Sequence, residues 1–380
     1  MPILSLDHLI LAEQKGLIRV SDRLDFNPFS LDIRLGTLYR HKEDTHIEKQ
    51  RRLQDDIDET SQEYIDRFLE EVSMPKDGMI VTPDDFFLWQ PKETIALSAG
   101  ISADIASRSS YARLGLMAQS VDDDLRDDRR ARKFRPLITL KPLGASVLIK
   151  PEEPLAQIIF RTDPGYVTKE EMKELISQEE FQITRREQTT TPLSNLTQEL
   201  KQQIDELGAM VLTIGPTVKI YNGKTLIPGK DNTGCFDTAE LRYDRPLRLP
   251  KRTFYISASE ESVSIPESYI GKVSEGSMIS SLQRFRQTGH KRYAPLPLMA
   301  HPNAPNIGPK NVFKGVITFE NVVMGICDGR PCTDRQVSSR VDIYRGMRQS
   351  YIYLERLSCP VSNPRESRYK GQSEATLCKF

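Results

Sequence analysis

Between Gly78 and Phe160 the chain runs in short apolar stretches, and these limit the fold more than any other feature. They are Met79–Val81, Phe86–Trp89, Thr94–Leu97, Leu137–Leu140, Ser146–Ile149 and Gln157–Phe160, bounded by Pro, Gly and Asp. Short strands at this spacing argue for a sandwich or barrel. The rhythm returns at 211–221, 226–228, 253–257, 262–265, Gly315–Phe319, Arg340–Tyr344 and Tyr351–Leu354. Phe86–Ile105 faintly matches Phe254–Ile270, and Val147–Phe160 matches Val341–Leu354. An internal duplication is therefore expected. The predicted fold is mainly β: two distorted jelly-roll (β-clip) lobes, 1–162 and 208–380, with helical insertions and a helical linker at 163–207.

Helical spacing is confined to a few segments. Residues 5–16 carry Leu6, Leu9, Ile10 and Ala12, with Gly16 as the expected C-cap. Residues 42–74 are charge-dense, with Ile57, Tyr64, Ile65, Phe68, Leu69 and Val72 at helical intervals, and read as a helical insertion. In the linker, Thr168 opens a cap-like run and Leu196, Leu200, Ile204 and Leu207 recur helically. With 53 basic and 53 acidic residues the formal charge is zero, which gives no general field for a nucleic-acid polymer. The five cysteines are scattered, so a reducing cytoplasm is the expected setting. No apolar run is long enough to suggest a membrane span.

Residues 107–116 read Ser-Arg-Ser-Ser-Tyr-Ala-Arg-Leu-Gly-Leu. Arg108 and Arg113 bracket Ser109 and Ser110. Guanidinium forks match phosphate oxygens, and small hydroxyls add donors without filling the space. The segment follows an expected strand and a turn at Ala99-Gly100, so it is placed to present donors to an anion. A surface turn with a chance Arg-Ser cluster is the other reading.

Four ordered stretches resemble the dCTP deaminases, which share a fold with the trimeric dUTP diphosphatases. The Arg108–Leu116 run is similar to that family's phosphate motif. Asn27–Gly36 resembles its early Pro-x-Ser-x-Asp-x-Arg-Leu-Gly strand, and Thr82–Leu88 its Pro-Gly-Glu-Phe-x-Leu strand. Ser367–Gln372 resembles its Lys-Tyr-x-Gly-Gln tail. The resemblance covers most of 1–162 and, more loosely, 211–380, as in two-lobed bacterial members. It implies dUTPase-like lobes, a homo-oligomer, and sites shared between two lobes. It also implies a dCTP or related triphosphate substrate, with Mg²⁺ bound through the triphosphate.

Each lobe carries one half of that chemistry. The first has the phosphate motif, but Lys141 stands where the resemblance implies a catalytic glutamate. In the second, Val273-Ser274-Glu275-Gly276 has no arginine pair. Met299–Pro305 there resembles the family's base-reading turn, and Gly315–Asn321 its carboxylate strand. The resemblance thus makes Glu320 the proton shuttle, and Ala300, His301 and Asn303 contacts to base and sugar. Tyr369, Lys370 and Gln372 would fold over the phosphates. Deamination at C4 needs an activated water and protons for N3 and ammonia. Zinc is the other known route, but no His-x-Glu is followed by Pro-Cys-x-x-Cys, and Cys327 and Cys332 have no histidine beside them. No metal ligands are assigned. Dephosphorylation to dUMP would need an acid where Asn306-Ile307-Gly308-Pro309 stands. A dUTP diphosphatase, a bifunctional enzyme and a non-catalytic nucleotide binder remain the alternatives.

Overall fold

The computed structural model describes residues 3–22, 26–27, 29–42, 61–120, 130–142, 144–162, 167–178, 182–185, 193–250, 253–266, 268–274, 299–302, 306–307, 312–320, 326–327, 330–331, 340–346 and 348–358. Six strands organise the first half: β1 (Leu31–His41), β2 (Phe87–Pro91), β3 (Ser102–Ser107), β4 (Leu116–Ser120), β5 (Ile138–Pro142) and β6 (Pro154–Arg161). They lie antiparallel in the order β3-β6-β1-β2-β5-β4. The ends of this order meet, because the Ser107 hydroxyl accepts from Ala118 N at 2.8 Å. Period-two alternation shows in β5, where Ile138 and Leu140 are buried while Thr139 and Lys141 are half-buried.

The second half repeats this plan. Its strands are β7 (Met210–Tyr221), β8 (Phe254–Ser264), β9 (Tyr269–Ser274), β10 (Met299–Pro302), β11 (Val312–Glu320) and β12 (Arg348–Arg356). Their order is β9-β12-β7-β8-β11-β10, so adding six to each label turns one sheet into the other.

The registers coincide residue by residue. Leu140 faces Phe87 on one side and Ala118 on the other. Phe319 faces Tyr255 and Ala300 in the same way. Phe134 opposes Ile95, and Phe313 opposes Val263. Phe-Arg-Pro-Leu-Ile-Thr-Leu-Lys (134–141) therefore aligns without a gap on Phe-Lys-Gly-Val-Ile-Thr-Phe-Glu (313–320).

A shared bulge supports the equivalence. Gly36 in β1 and Gly215 in β7 sit where the register shifts. A Cβ at Gly36 would lie 2.7 Å from Lys92 N, and one at Gly215 would lie 2.6 Å from Ala258 O. Only a hydrogen side chain fits so close to backbone. Beside each bulge a buried glutamate accepts from the backbone. Glu93 takes the Arg34 amide at 3.0 Å, and Glu261 takes the Thr213 amide at 2.8 Å.

Two sequence expectations need correction. The insertion at 42–74 is not helical throughout: Ser61–Phe68 (α2, after α1 at Leu6–Gln14) is helical, but Leu69–Val72 is a strand on β1. Four residues cannot separate a period of 3.6 from one of 2, and pairing Val72 with Leu38 decides it. The linker also does more than connect. Thr168 caps Lys169–Ser177, accepting from Glu171 N, and Gln182–Arg185 pairs with β8. Met172, Leu175 and Ile176 share a core with Leu200, Ile204, Met210 and Ile352. Residues 43–60 lie outside the described residues.

The lobes are joined by backbone, core and charge. Leu148 N donates to Leu226 O at 2.9 Å, and Leu226 N to Ser146 O at 2.8 Å. Phe236, Phe254, Ile256 and Ala258 belong to the same core as Trp89 and Ile138. At the opposite junction Ile3 donates to Arg356 O and accepts from Ser358 N, while Leu4 donates to Phe160 O. Beneath it Arg161 pairs with Asp104 and, at 3.0 Å, with Glu355 of the second lobe.

Candidate active site

The phosphate-like motif folds as one helical turn, α3 (Ser109–Ala112), between β3 and β4. Tyr111 N and Ala112 N both donate to Arg108 O, at 3.0 and 2.9 Å. Gly115, with φ +78°, ends the turn in the left-handed region that a glycine occupies without steric cost. Tyr111 and Leu114, both in the first core, fix the turn from below.

The two cations of the motif differ in exposure. Arg108 keeps 35% of its side chain exposed, and its Nε lies 2.9 Å from Asp32 Oδ2. Arg113 is 1% exposed, and Ser110 is also buried. A guanidinium stays charged when buried, so a charge is held directly behind the turn. The backbone of Ser109 opens α3; its side chain lies outside the described ones.

Asp32 links two stretches far apart in sequence. It accepts from Asn27 Nδ2 at 3.1 Å while pairing with Arg108. Burial pushes its carboxyl above the ordinary value, and the Arg108 guanidinium and the Asn27 amide partly oppose that. Nearby, the Ser30 hydroxyl donates to Gln157 Oε1 at 3.2 Å. The early strand motif thus braces the phosphate-like turn. Glu93, which holds Arg34 Nε at 2.6 Å, was missed by sequence reading; its signal was Glu261 at the same place in the repeat.

In the second lobe Glu320 ends β11, opposite Phe254 on β8 and Met299 on β10. Lys141 has the matching place on β5, opposite Met117. Ala300 and His301 lie on β10, with His301 facing Thr318. This corrects the expected turn at Met299–Pro305, since Met299–Pro302 is a strand occupying the position of β4. His301 therefore corresponds to Gln119, and the missed signal was Leu-Met-Ala-Gln (116–119) repeated as Leu-Met-Ala-His (298–301). Ser274 corresponds to Ala106, because Tyr351 and Gln157 hold equivalent places opposite them, paired in turn with Val211 and Asp32. Gly276 consequently stands in sequence where Arg108 does in the first lobe. Asn303, Tyr369, Lys370 and Gln372 lie outside the described residues.

The two halves meet: α3 of the first lobe lies against β10 of the second. Among the described residues, no group of three or more His, Cys, Asp or Glu is placed to hold a metal ion. No helix among them is long and apolar enough to cross a membrane.

Known proteins share this fold. Residues 3–162 match the family described as dCTP deaminase-like. A dCTP deaminase from Ignicoccus hospitalis is 24% identical over 155 residues, 40% of this chain and 78% of that protein. The crystal structure of 2'-deoxycytidine 5'-triphosphate deaminase from Agrobacterium tumefaciens superposes with a TM-score of 0.64 at 16% identity. That match spans 94% of this chain and 99% of the other, so both lobes share its fold. The first lobe, residues 3–162, is thus similar to the dCTP deaminase-like family in sequence, and the whole chain shares the fold of the Agrobacterium enzyme.

Proposed function

We propose that the chain is a duplicated dCTP deaminase that converts dCTP and water to dUTP and ammonia at a site composed from both lobes. The observation that carries this is the complementary loss across equivalent positions. One lobe has Arg108 and Lys141, and the other has Gly276 and Glu320. A lobe with the cation but no acid, or with the acid but no cation, cannot hold phosphates and shuttle protons by itself.

In this reading Arg108, Ser109, Ser110 and Arg113 hold the triphosphate, and Mg²⁺ arrives with it. Ala300, His301 and Asn303 contact base and sugar, and Tyr369, Lys370 and Gln372 cover the phosphates. Glu320 takes a proton from water as oxygen attacks C4. It passes protons to N3 and then to the departing amine, which leaves as ammonia. Its strand is flanked by β8 and β10, which suits a partly desolvated acid.

Purified protein incubated with each deoxynucleoside triphosphate and Mg²⁺, followed by separation of products, tests the reading. The expected products are dUTP and ammonia from dCTP. Release of dUMP would add the diphosphatase activity, and no turnover of any nucleotide would remove the enzyme. Glu320→Gln keeps size and polarity but not the base, and should lower turnover by at least about 10²-fold while nucleotide still binds. Arg108→Ala should raise the apparent Kd for dCTP roughly tenfold, equivalent to about 1.4 kcal/mol, measured by calorimetry.

A further inference from the structure

We propose, building on the deaminase reading, that one nucleotide site is completed within a single chain, with no residue from a second copy. The phosphate-like turn and the carboxylate strand that serve one nucleotide belong to the same molecule.

Three observations carry this. First, α3 lies against β10 of its own chain, and β10 pairs directly with β11, where Met299 faces Glu320. Neighbouring strands sit about 4.8 Å apart, so the glutamate strand is one spacing beyond the strand the turn touches. Second, the junction is fixed at both ends. Leu226 is bonded between Ser146 and Leu148, and Ile3 is bonded between Arg356 and Ser358. Arg161, 9% exposed, bridges to Glu355, 2% exposed, at 3.0 Å. Such a junction sets the two half-sites against each other without help from outside. Third, the reciprocal combination would lack both functions. It would use the segment after Ser274 with β5, offering Gly276 in place of Arg108 to the phosphates and Lys141 in place of the acid to the base. Each chain therefore has one productive combination, and it is the one the fold brings together.

The test uses two full-length variants, Arg108→Ala and Glu320→Gln, carrying different affinity tags and co-expressed. Mixed complexes are recovered by both tags in succession and assayed with dCTP and Mg²⁺. If each site lies within one chain, every site keeps a defect and mixed complexes turn over no faster than the two variants averaged. If sites join different chains, a mixed complex regains intact sites, about one half of them in a dimer and about one third in a ring of three, and that recovery would overturn the proposal. If no mixed complex forms because the chain is a monomer, wild-type turnover by that monomer supports it. Calorimetry supplies a second reading: the wild type should bind dCTP at one site per chain, and saturation at two per chain would count against the assignment. Failure of the deaminase reading looks different, since the wild type itself would then leave dCTP unchanged.

Discussion

Charges at Asp32 and Arg161 are held in opposite balances. Asp32 is desolvated with a partner that is still partly in water, so burial wins and its carboxyl titrates above the unfolded value of 3.8. In the window between those two values the native state binds more protons than the unfolded chain, so stability falls as pH rises. Asp32→Asn removes the titration. Its stability relative to wild type should therefore increase from acid pH towards neutral, measured by denaturant unfolding at a series of pH values. A constant difference across that range would contradict the burial account. Arg161 instead holds two carboxylates, Asp104 and Glu355, at the junction of the lobes. Removing it strands buried negative charge, and breaking such a group typically costs about 3–5 kcal/mol. Arg161→Ala should lose stability of that order, whereas Arg40→Ala, whose partner Glu70 is 41% exposed, should change it by less than about 1 kcal/mol.

The element that best records the repeat is the bulged strand with its buried glutamate. Gly36→Ala and Gly215→Ala each drive a methyl into backbone at 2.7 and 2.6 Å. Backbone in a sheet cannot step aside cheaply, so each should destabilise by roughly 1–3 kcal/mol, seen as a lower denaturant midpoint. Gly100→Ala provides a contrast. Nothing stands within 4 Å of its Cβ, so its cost comes from φ +85° rather than from collision. The sequence disclosed the strands of this element but not its partners. Alternation identified β1, yet nothing in it pointed to Glu93, which lies far along the chain and reaches Arg34 only after folding.

Across the whole molecule the N-terminal segment acts as a strap. Ile3 and Leu4 exchange backbone bonds with Phe160 on one lobe and with Arg356 and Ser358 on the other, and Ser5 N donates to Ser358 Oγ at 3.0 Å. Deleting residues 1–5 should loosen one end of the junction while the core around Phe254 and Ile256 persists. Thermal melts should broaden and the midpoint should fall. If the inference of an intramolecular site is right, dCTP turnover should decline in step, although no deleted residue belongs to the phosphate-like turn or the carboxylate strand.

By itself the sequence determined the local features. Period-two alternation marked most of the strands, Gly and Pro marked their ends, and the Arg-Ser run announced an anion-binding chemistry through its donors alone. Those signals are local because they depend on side chains a few residues apart. What the tertiary structure decided is relational. It showed that Phe134–Lys141 and Phe313–Glu320 occupy the same register along their whole length, which the sequence had matched only at Lys141 and Glu320 through the family resemblance. It turned Leu69–Val72 into a strand, since only a partner strand settles the identity of four residues. It also moved Met299–Pro302 from a turn to a strand and set the turn of one lobe against it. Register and lobe contact are fixed by long-range pairing and burial, and no window of sequence contains both sides of those contacts.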